Sequence, residues 1–309
     1  MSLDELIALD LLLNASFVRK TAISASHRYK TYVIRKKNGG ERVIHHPAKP
    51  LKALQRWLLD NIVAAFPVHE TAYAYRLGRE YGIRNNAGRH RTSAYLLRLD
   101  FESFFPSITS EDVSVFMKEH APTYWPWWTS KDSEMFCALV CREGRLTIGS
   151  PTSPGLSNVL CFPLDTHCAA LAAGAGATYT RYADDLFFSS NVGGAMRYFD
   201  EAVTRIVGAL PYPKTLRLNP GKTAHLSKKR RRTVTGLVLT SDGNVSVGRS
   251  VKRRIRAMVH QYDRLSPKER QYLAGWLAHC RDVEPNFINA LVLSYGVEEV
   301  QRARRAPKG

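Results

Sequence analysis

The chain has 309 residues, 44% of them hydrophobic, which suffices for sizeable cores and excludes a disordered protein. A net charge of +18, with an isoelectric point near 9.9, points to a polyanionic partner, either nucleic acid or an anionic membrane surface. No apolar run is long enough to span a membrane, the acidic start MSLDELIALDLLL (1–13) is unlike a signal peptide, and an odd count of five cysteines argues against a disulfide framework.

The leading expectation is a cytoplasmic nucleic-acid binder with no membrane partner. Along the chain, Ser2 and Glu5 have capping-box spacing and predict a helix to about Asn14. In TYVIRKKNGGERVIHHP (31–47) two β-rich runs flank Asn38-Gly39-Gly40, the pattern of a hairpin. LKALQRWLLDNIVAAF (51–66) has helical periodicity, and SAYLLRLDFESFF (93–105) opens as a strand leading to Asp100. A helix starting at Ser110 and a helix within PTSPGLSNVLCFPLDTHCAAL (151–171) follow. TLRLNPGKTAHL (215–226) and TVTGLVLTSDGNVSVG (233–248) are β-rich. From Ser250 the pattern is helical, with a second capping box at Ser266 and Glu269. The order predicts an α+β body and a helical C-terminal domain. Cys137 with Cys141, and His45 with His46, lack the partners of a zinc site. Trp125, Trp127 and Trp128 form either a small satellite core, a base-stacking surface or a partner surface.

The segment TYTRYADDLFFSS (178–190) sets two carboxylates, Asp184 and Asp185, inside an apolar strand pattern. Burying neighbouring like charges is costly, so the pair marks a hairpin tip or a bound divalent cation. Asp100, at the end of LLRLD, is a third carboxylate that can converge on them. Hard oxygen donors without histidine or thiolate suit Mg²⁺ or Mn²⁺, and two such ions form the clamp used for in-line phosphoryl transfer.

Five blocks then occur in order, RKKNGGERVI (35–44), DFESFFPSI (100–108), GSPTSPGLSN (149–158), RYADD (181–185) and LNPGKT (218–223). Together they resemble the reverse transcriptases. NAGRH (86–90) and VTG (234–236) resemble marks of the retron branch of that family. The resemblance implies a right-hand polymerase fold: N-terminal helices and fingers at 1–95, a palm at 96–247 with an inserted fingers segment at about 110–148, and a basic helical thumb at 248–309. The implied activity is RNA-directed DNA synthesis. Part of a cognate structured noncoding RNA is copied into multicopy single-stranded DNA, primed from a guanosine 2′-hydroxyl, in antiphage defence with an effector protein encoded nearby. The length leaves no room for an endonuclease or RNase H domain. A group II intron-like or diversity-generating reverse transcriptase, or a non-catalytic RNA-binding scaffold, is the alternative.

By motif position, Asp100, Asp184 and Asp185 are the implied catalytic and metal-binding residues, holding two Mg²⁺ ions for which Mn²⁺ can substitute. Asp185 has the weaker or indirect role. Arg35, Lys36, Arg42, Phe105, Gly149, Ser150, Pro151 and Lys222 are the implied dNTP-binding residues. Arg42 offers a bidentate fork to phosphate. The Phe105 ring would collide with a 2′-hydroxyl, core packing being its alternative reading. Lys222 would approach the leaving pyrophosphate. Ile148 stands where the family commonly has glutamine. For RNA, the candidates are Asn86, His90, Thr235 and Gly236, the basic run Lys228, Lys229, Arg230, Arg231 and Arg232, and Lys252, Arg253 and Arg256 on a helix.

Overall fold

The computed structural model describes residues 1–35 and 39–305. The chain opens with helices α1 (Leu3–Asp10) and α2 (Ala15–Ile23), strands β1 (Tyr29–Arg35) and β2 (Glu41–Pro47), and helix α3 (Lys49–Asn61). Next come α4 (Ile83–His90), β3 (Tyr95–Asp100), α5 (Ser110–Tyr124), α6 (Ser130–Val140), α7 (Thr152–Leu160) and α8 (Phe162–Gly174). Strands β4 (Thr178–Tyr182) and β5 (Asp185–Ser190) lead to α9 (Ala195–Gly208). Four short strands follow: β6 (Ala224–Ser227), β7 (Arg232–Val234), β8 (Leu237–Leu239) and β9 (Val245–Ser246). The last elements are α10 (Arg249–His260), α11 (Pro267–Val283), α12 (Pro285–Tyr295) and α13 (Val297–Arg304). The class is α+β, as the sequence predicts.

Local chemistry sets the boundaries. The Glu5 carboxylate accepts the Ser2 N–H at 2.9 Å and starts α1. That helix stops at Asp10, short of the expected Asn14, because the Asn14 side chain accepts the Ser16 N–H at 2.8 Å and caps α2 instead. The stretch expected as one helix over 151–171 is two, divided at Cys161, with Pro163 in the first turn of α8, where its missing N–H costs nothing. No helix among the described residues is long and apolar enough to cross a membrane. All five cysteines are buried and free.

The described chain divides into two compact units. The first comprises Met1–Tyr75, Leu97–Phe188 and Gly194–Ala224; the second comprises Arg76–Leu96, Ser189–Gly193 and the chain from His225 onward.

The first unit contains the antiparallel β1–β2 hairpin, paired from Tyr29↔Pro47 to Arg35↔Glu41. It also contains most of a sheet ordered β4-β5-β3-β6. Leu97, Leu99, Leu186, Phe187 and Phe188 are fully buried, and this apolar sheet fixes the strand ends that carry Asp100 and Asp185. Trp125 and Trp128 pack near Phe66 and Phe136 in a satellite cluster, and the Trp128 indole N–H donates to Ser133 Oγ at 2.8 Å.

In the second unit, β7, β8 and β9 form an antiparallel sheet whose last β7–β8 pair is Val234↔Leu237. Thr235 and Gly236 are therefore its two-residue turn, with φ of 48° and 83°. That is the left-handed pair a type I′ hairpin requires. Helices α10 to α13 share a core of Ile255, Val259, Leu273, Leu277, Cys280 and Leu291. The 4- and 3-residue steps from Leu273 to Cys280 are one face of α11.

Candidate active site

Strand β3 delivers Asp100 to the sheet edge, and the chain then turns through Phe101, Phe104 and Phe105. Phe101 and Phe104 are buried, while Phe105 is half-buried and reaches an open cavity. Strands β4 and β5 are joined by Ala183 and Asp184 alone, with Ala183 in the left-handed region at φ 57°. The paired carboxylates thus have distinct placements, Asp184 in the turn and Asp185 as the first residue of β5.

Backbone hydrogen bonds lace three motif segments together. Phe101 N–H donates to Asp184 O at 3.2 Å, Glu102 N–H to Arg217 O at 2.9 Å, and Asn219 N–H to Asp100 O at 2.8 Å. The last two bring in the segment that carries Lys222, whose Nζ donates to Asp100 Oδ1 at 2.6 Å. A cation therefore already sits on one of the carboxylates.

The remaining negative charge is poorly compensated. Burial raises the Asp184 carboxyl above its ordinary value and the Asp100 charge adds to this, while Lys222 and Arg42 pull the other way. Asp185 is pushed up to about 7, first by burial and then by the charges of Asp184 and Asp100.

A cavity of about 530 Å³ opens on this site, lined by Arg42, Tyr75, Phe105, Ile148, Asp184 and Lys222 among others. Residues 149–151 follow Ile148 of that wall along the chain. Gly149 has φ 113°, and a Cβ there would lie 2.5 Å from the His45 carbonyl oxygen. The His45 N–H donates to Ile148 O at 2.8 Å, so strand β2 is stitched to this loop. Ser150 is buried, its Oγ 2.9 Å from Thr152 Oγ1, and Pro151 precedes α7. Arg35 is exposed at the end of β1, opposite Glu41. Lys36 lies outside the described residues.

A profile described as reverse transcriptase (RNA-dependent DNA polymerase) matches residues 34–239. Retron Ec86 reverse transcriptase from Escherichia coli is 30% identical over 296 residues, covering 93% of this chain and 88% of that one. Retron Ec83 reverse transcriptase, also from Escherichia coli, is 31% identical over 302 residues, 92% of each chain. The chain belongs to the retron reverse transcriptases. Among solved structures, telomerase from Candida albicans, in complex with a fragment of telomeric RNA, has a TM-score of 0.50 at 10% identity. That match covers 94% of this chain and 64% of that one, and it speaks to the polymerase fold alone.

This reverse transcriptase is an RNA-directed DNA polymerase, with RNA as its partner. Enzymes of the family use divalent metal ions. Among the described residues no three His, Cys, Asp or Glu side chains are grouped to hold a metal ion by themselves. The donor chemistry nevertheless fits. Mg²⁺ is usually held by one or two carboxylates, with water and substrate phosphates completing its octahedron, rather than by an all-protein cage. Two carboxylates with raised pKa values, Asp184 and Asp185, beside a third that is bonded to an ammonium, are the setting a small hard cation relieves.

Several expected RNA contacts need correction. Asn86 and His90 are fully buried on one face of α4. His90 Nδ1 lies 2.7 Å from Ser189 Oγ, and the Asn86 side-chain amide has no hydrogen-bond partner among the described residues. Burial, followed by the charge of Arg89, lowers the His90 pKa to about 3, so the ring is neutral. These two side chains face inward because α4 must cover β7–β9. Arg232 is also internal, 1% exposed, and donates to the carbonyls of Ser93 and Thr240. Its strand position alternates inward with Val234. Thr235 is half-buried, with its hydroxyl donating to Ile83 O at 3.3 Å. Lys252 is half-buried and paired with Glu284. Lys228, Lys229, Arg230, Arg231, Gly236, Arg253 and Arg256 are exposed.

Sequence reasoning passed over Tyr75, Arg142 and Arg145, all on the cavity wall. It also passed over the buried network beneath the hairpin. Arg181 and Asp165 are both 0% exposed and paired at 2.7 Å, and Arg181 reaches Asn158 Oδ1 at 3.0 Å and Ala183 O at 3.2 Å. An arginine inside an apolar strand pattern was the available signal, since such a charge needs a partner.

Proposed function

We propose that this enzyme copies part of a cognate structured noncoding RNA into single-stranded DNA, primed from the 2′-hydroxyl of a guanosine. The reading rests on one observation above the rest, the backbone lacing of the Asp100, Asp184 and Lys222 segments. We assign two Mg²⁺ ions to Asp100 and Asp184, with Asp185 in support and Mn²⁺ as a substitute. Bound ions of this kind lower the pKa of the attacking hydroxyl and neutralise charge on the leaving pyrophosphate.

The protein's own residues do the rest. Arg42 holds the dNTP phosphates across the cavity, with Arg35 and Lys36 adding charge. Phe105 excludes a ribose 2′-hydroxyl. Lys222 exchanges Asp100 for the pyrophosphate. Gly149, Ser150 and Pro151 shape the wall. Exposed Lys228, Lys229, Arg230, Arg231, Arg253 and Arg256 contact the RNA backbone, with Gly236 at the hairpin turn. The helices from residue 248 onward serve as the thumb. In the cytoplasm the enzyme works with an effector protein in antiphage defence.

The test is primer extension on an RNA template with Mg²⁺. Asp184→Asn is expected to fold and bind RNA but make no DNA; extension by that variant at the wild-type rate defeats the assignment. Sequencing nucleic acid copurified from cells carrying the neighbouring genes is expected to recover branched RNA–DNA, and its absence rules out the priming step.

A further inference from the structure

Tyr75 stands out on the cavity wall because its backbone and its ring are both unusually placed. Its φ is 60°, a left-handed conformation that side chains with a Cβ avoid. Core packing does not account for this, since the residue is 51% exposed. The surrounding chain nevertheless over-determines the conformation. Tyr73 N–H donates to Arg181 O at 2.8 Å, and Asn158 Nδ2 donates to Ala74 O at 2.8 Å. Asn158 is itself held by Arg181, which is locked to Asp165. A buried arginine of one motif and a buried asparagine of another thus fix a strained residue in the segment before α4 and point to a functional constraint there.

The ring lies on the wall shared by Asp184, Arg42 and Phe105. Its centroid is 6.2 Å from that of Phe105, with the planes inclined at 40°. The two rings form a tilted aromatic pair on the wall that also carries Asp184 and Arg42. A nucleotide with its α-phosphate at Asp184 and its outer phosphates at Arg42 has its sugar as the next group along, beside these two rings.

We propose that Tyr75 is a specificity-determining residue, bracing Phe105 from the side and closing the second wall of the sugar slot so that a 2′-hydroxyl is refused. This rests on reading the cavity as the nucleotide site. Phe105 alone, with one flank open, could tilt away from a ribose; Tyr75 removes that freedom.

The test compares Tyr75→Gly, Tyr75→Asn, Tyr75→Phe and Phe105→Ala in primer extension on an RNA template, measuring kcat and KM for dGTP and GTP. Glycine and asparagine both accept φ near 60°, so either variant is expected to melt at or above the wild-type temperature. Both are expected to raise GTP use relative to dGTP about tenfold, chiefly through KM. Phe105→Ala is expected to raise it further, and Tyr75→Phe to behave as wild type. Folded glycine and asparagine variants with wild-type discrimination, beside a relaxed Phe105→Ala, overturn the role of Tyr75 and leave the site standing. Unchanged discrimination in Phe105→Ala as well overturns the reading of the cavity itself.

Discussion

Arg181→Met removes the guanidinium that ties the catalytic hairpin to the helices beneath it. In the intact protein Arg181 Nε lies 2.8 and 3.1 Å from the two Asp165 oxygens, and NH2 lies 2.7 Å from Oδ2. Burial opposes the charge, but Asp165 more than offsets it and raises the guanidinium pKa above its ordinary value. After the substitution Asp165 keeps, of these partners, only the Tyr179 hydroxyl at 2.8 Å. Breaking a buried pair from one side costs about 3–5 kcal/mol, because the other charge stays inside. For a chain of this size that is on the order of a 10 °C loss in melting temperature. Activity is expected to fall on the order of tenfold or more, because Ala183 O loses its donor and the adjacent Asp184 shifts.

The assay is a double-mutant cycle with Asp165→Leu, read by calorimetric melting and by primer extension on an RNA template. The double variant has no stranded charge, so its loss should be well short of the sum of the single losses. Additive losses, or a single variant melting within about 2 °C of wild type, refute the claim that a buried charge pair holds this hairpin.

Three further outcomes follow from the same coordinates. Gly149→Ala puts a Cβ 2.5 Å from His45 O at φ 113°, and should cost on the order of 2–4 kcal/mol while raising the KM for dNTP, as melting and steady-state kinetics will show. His90, with its pKa lowered to about 3, favours the fold fully above its unfolded pKa near 6.5. That contribution, up to ~5 kcal/mol, is lost as pH falls from about 6.5 towards 3; a melting series across this range should show the loss, and His90→Gln should flatten it. Arg232→Ala should lower the melting temperature and leave the salt dependence of RNA binding alone, whereas Arg230→Ala or Arg231→Ala should do the reverse. If the six exposed basic residues each neutralise a phosphate, log K against log salt has a slope of about −4 to −5, and each of those two substitutions reduces it by about 1.

What could be read from the chain depended on whether a residue's partner lay nearby in sequence. The capping boxes at Ser2 and Ser266 are local hydrogen bonds three residues apart, and both form where expected. The β1–β2 hairpin follows from two β-rich runs around a glycine turn. The helix expected to start at Ser110 is capped one residue earlier, by Thr109 accepting from Asp112 N–H at 3.2 Å. Lys252 and Glu284 are 32 positions apart, and no periodicity announces that pairing. The run from Lys228 to Arg232 reads as five equal cations until β7 begins at Arg232 and turns that one inward. NAGRH and VTG carried a family signal without a physical one; the structure supplies a helix face and a type I′ turn.

The RYADD segment performs two opposed electrostatic tasks within five residues. Tyr179 and Arg181 alternate onto the same side of β4 and meet Asp165, where the charges cancel and the polar atoms are matched. At the tip, burial first and then the charges of neighbouring carboxylates push the pKa values of Asp184 and Asp185 upward. Like charges left in that state drive a turn apart unless the backbone is held from below. The neutral network beneath is therefore what permits the uncompensated carboxylates above. A polymerase needs both, because carboxylates already satisfied by protein cations would have little affinity left for the ions and phosphates of the reaction.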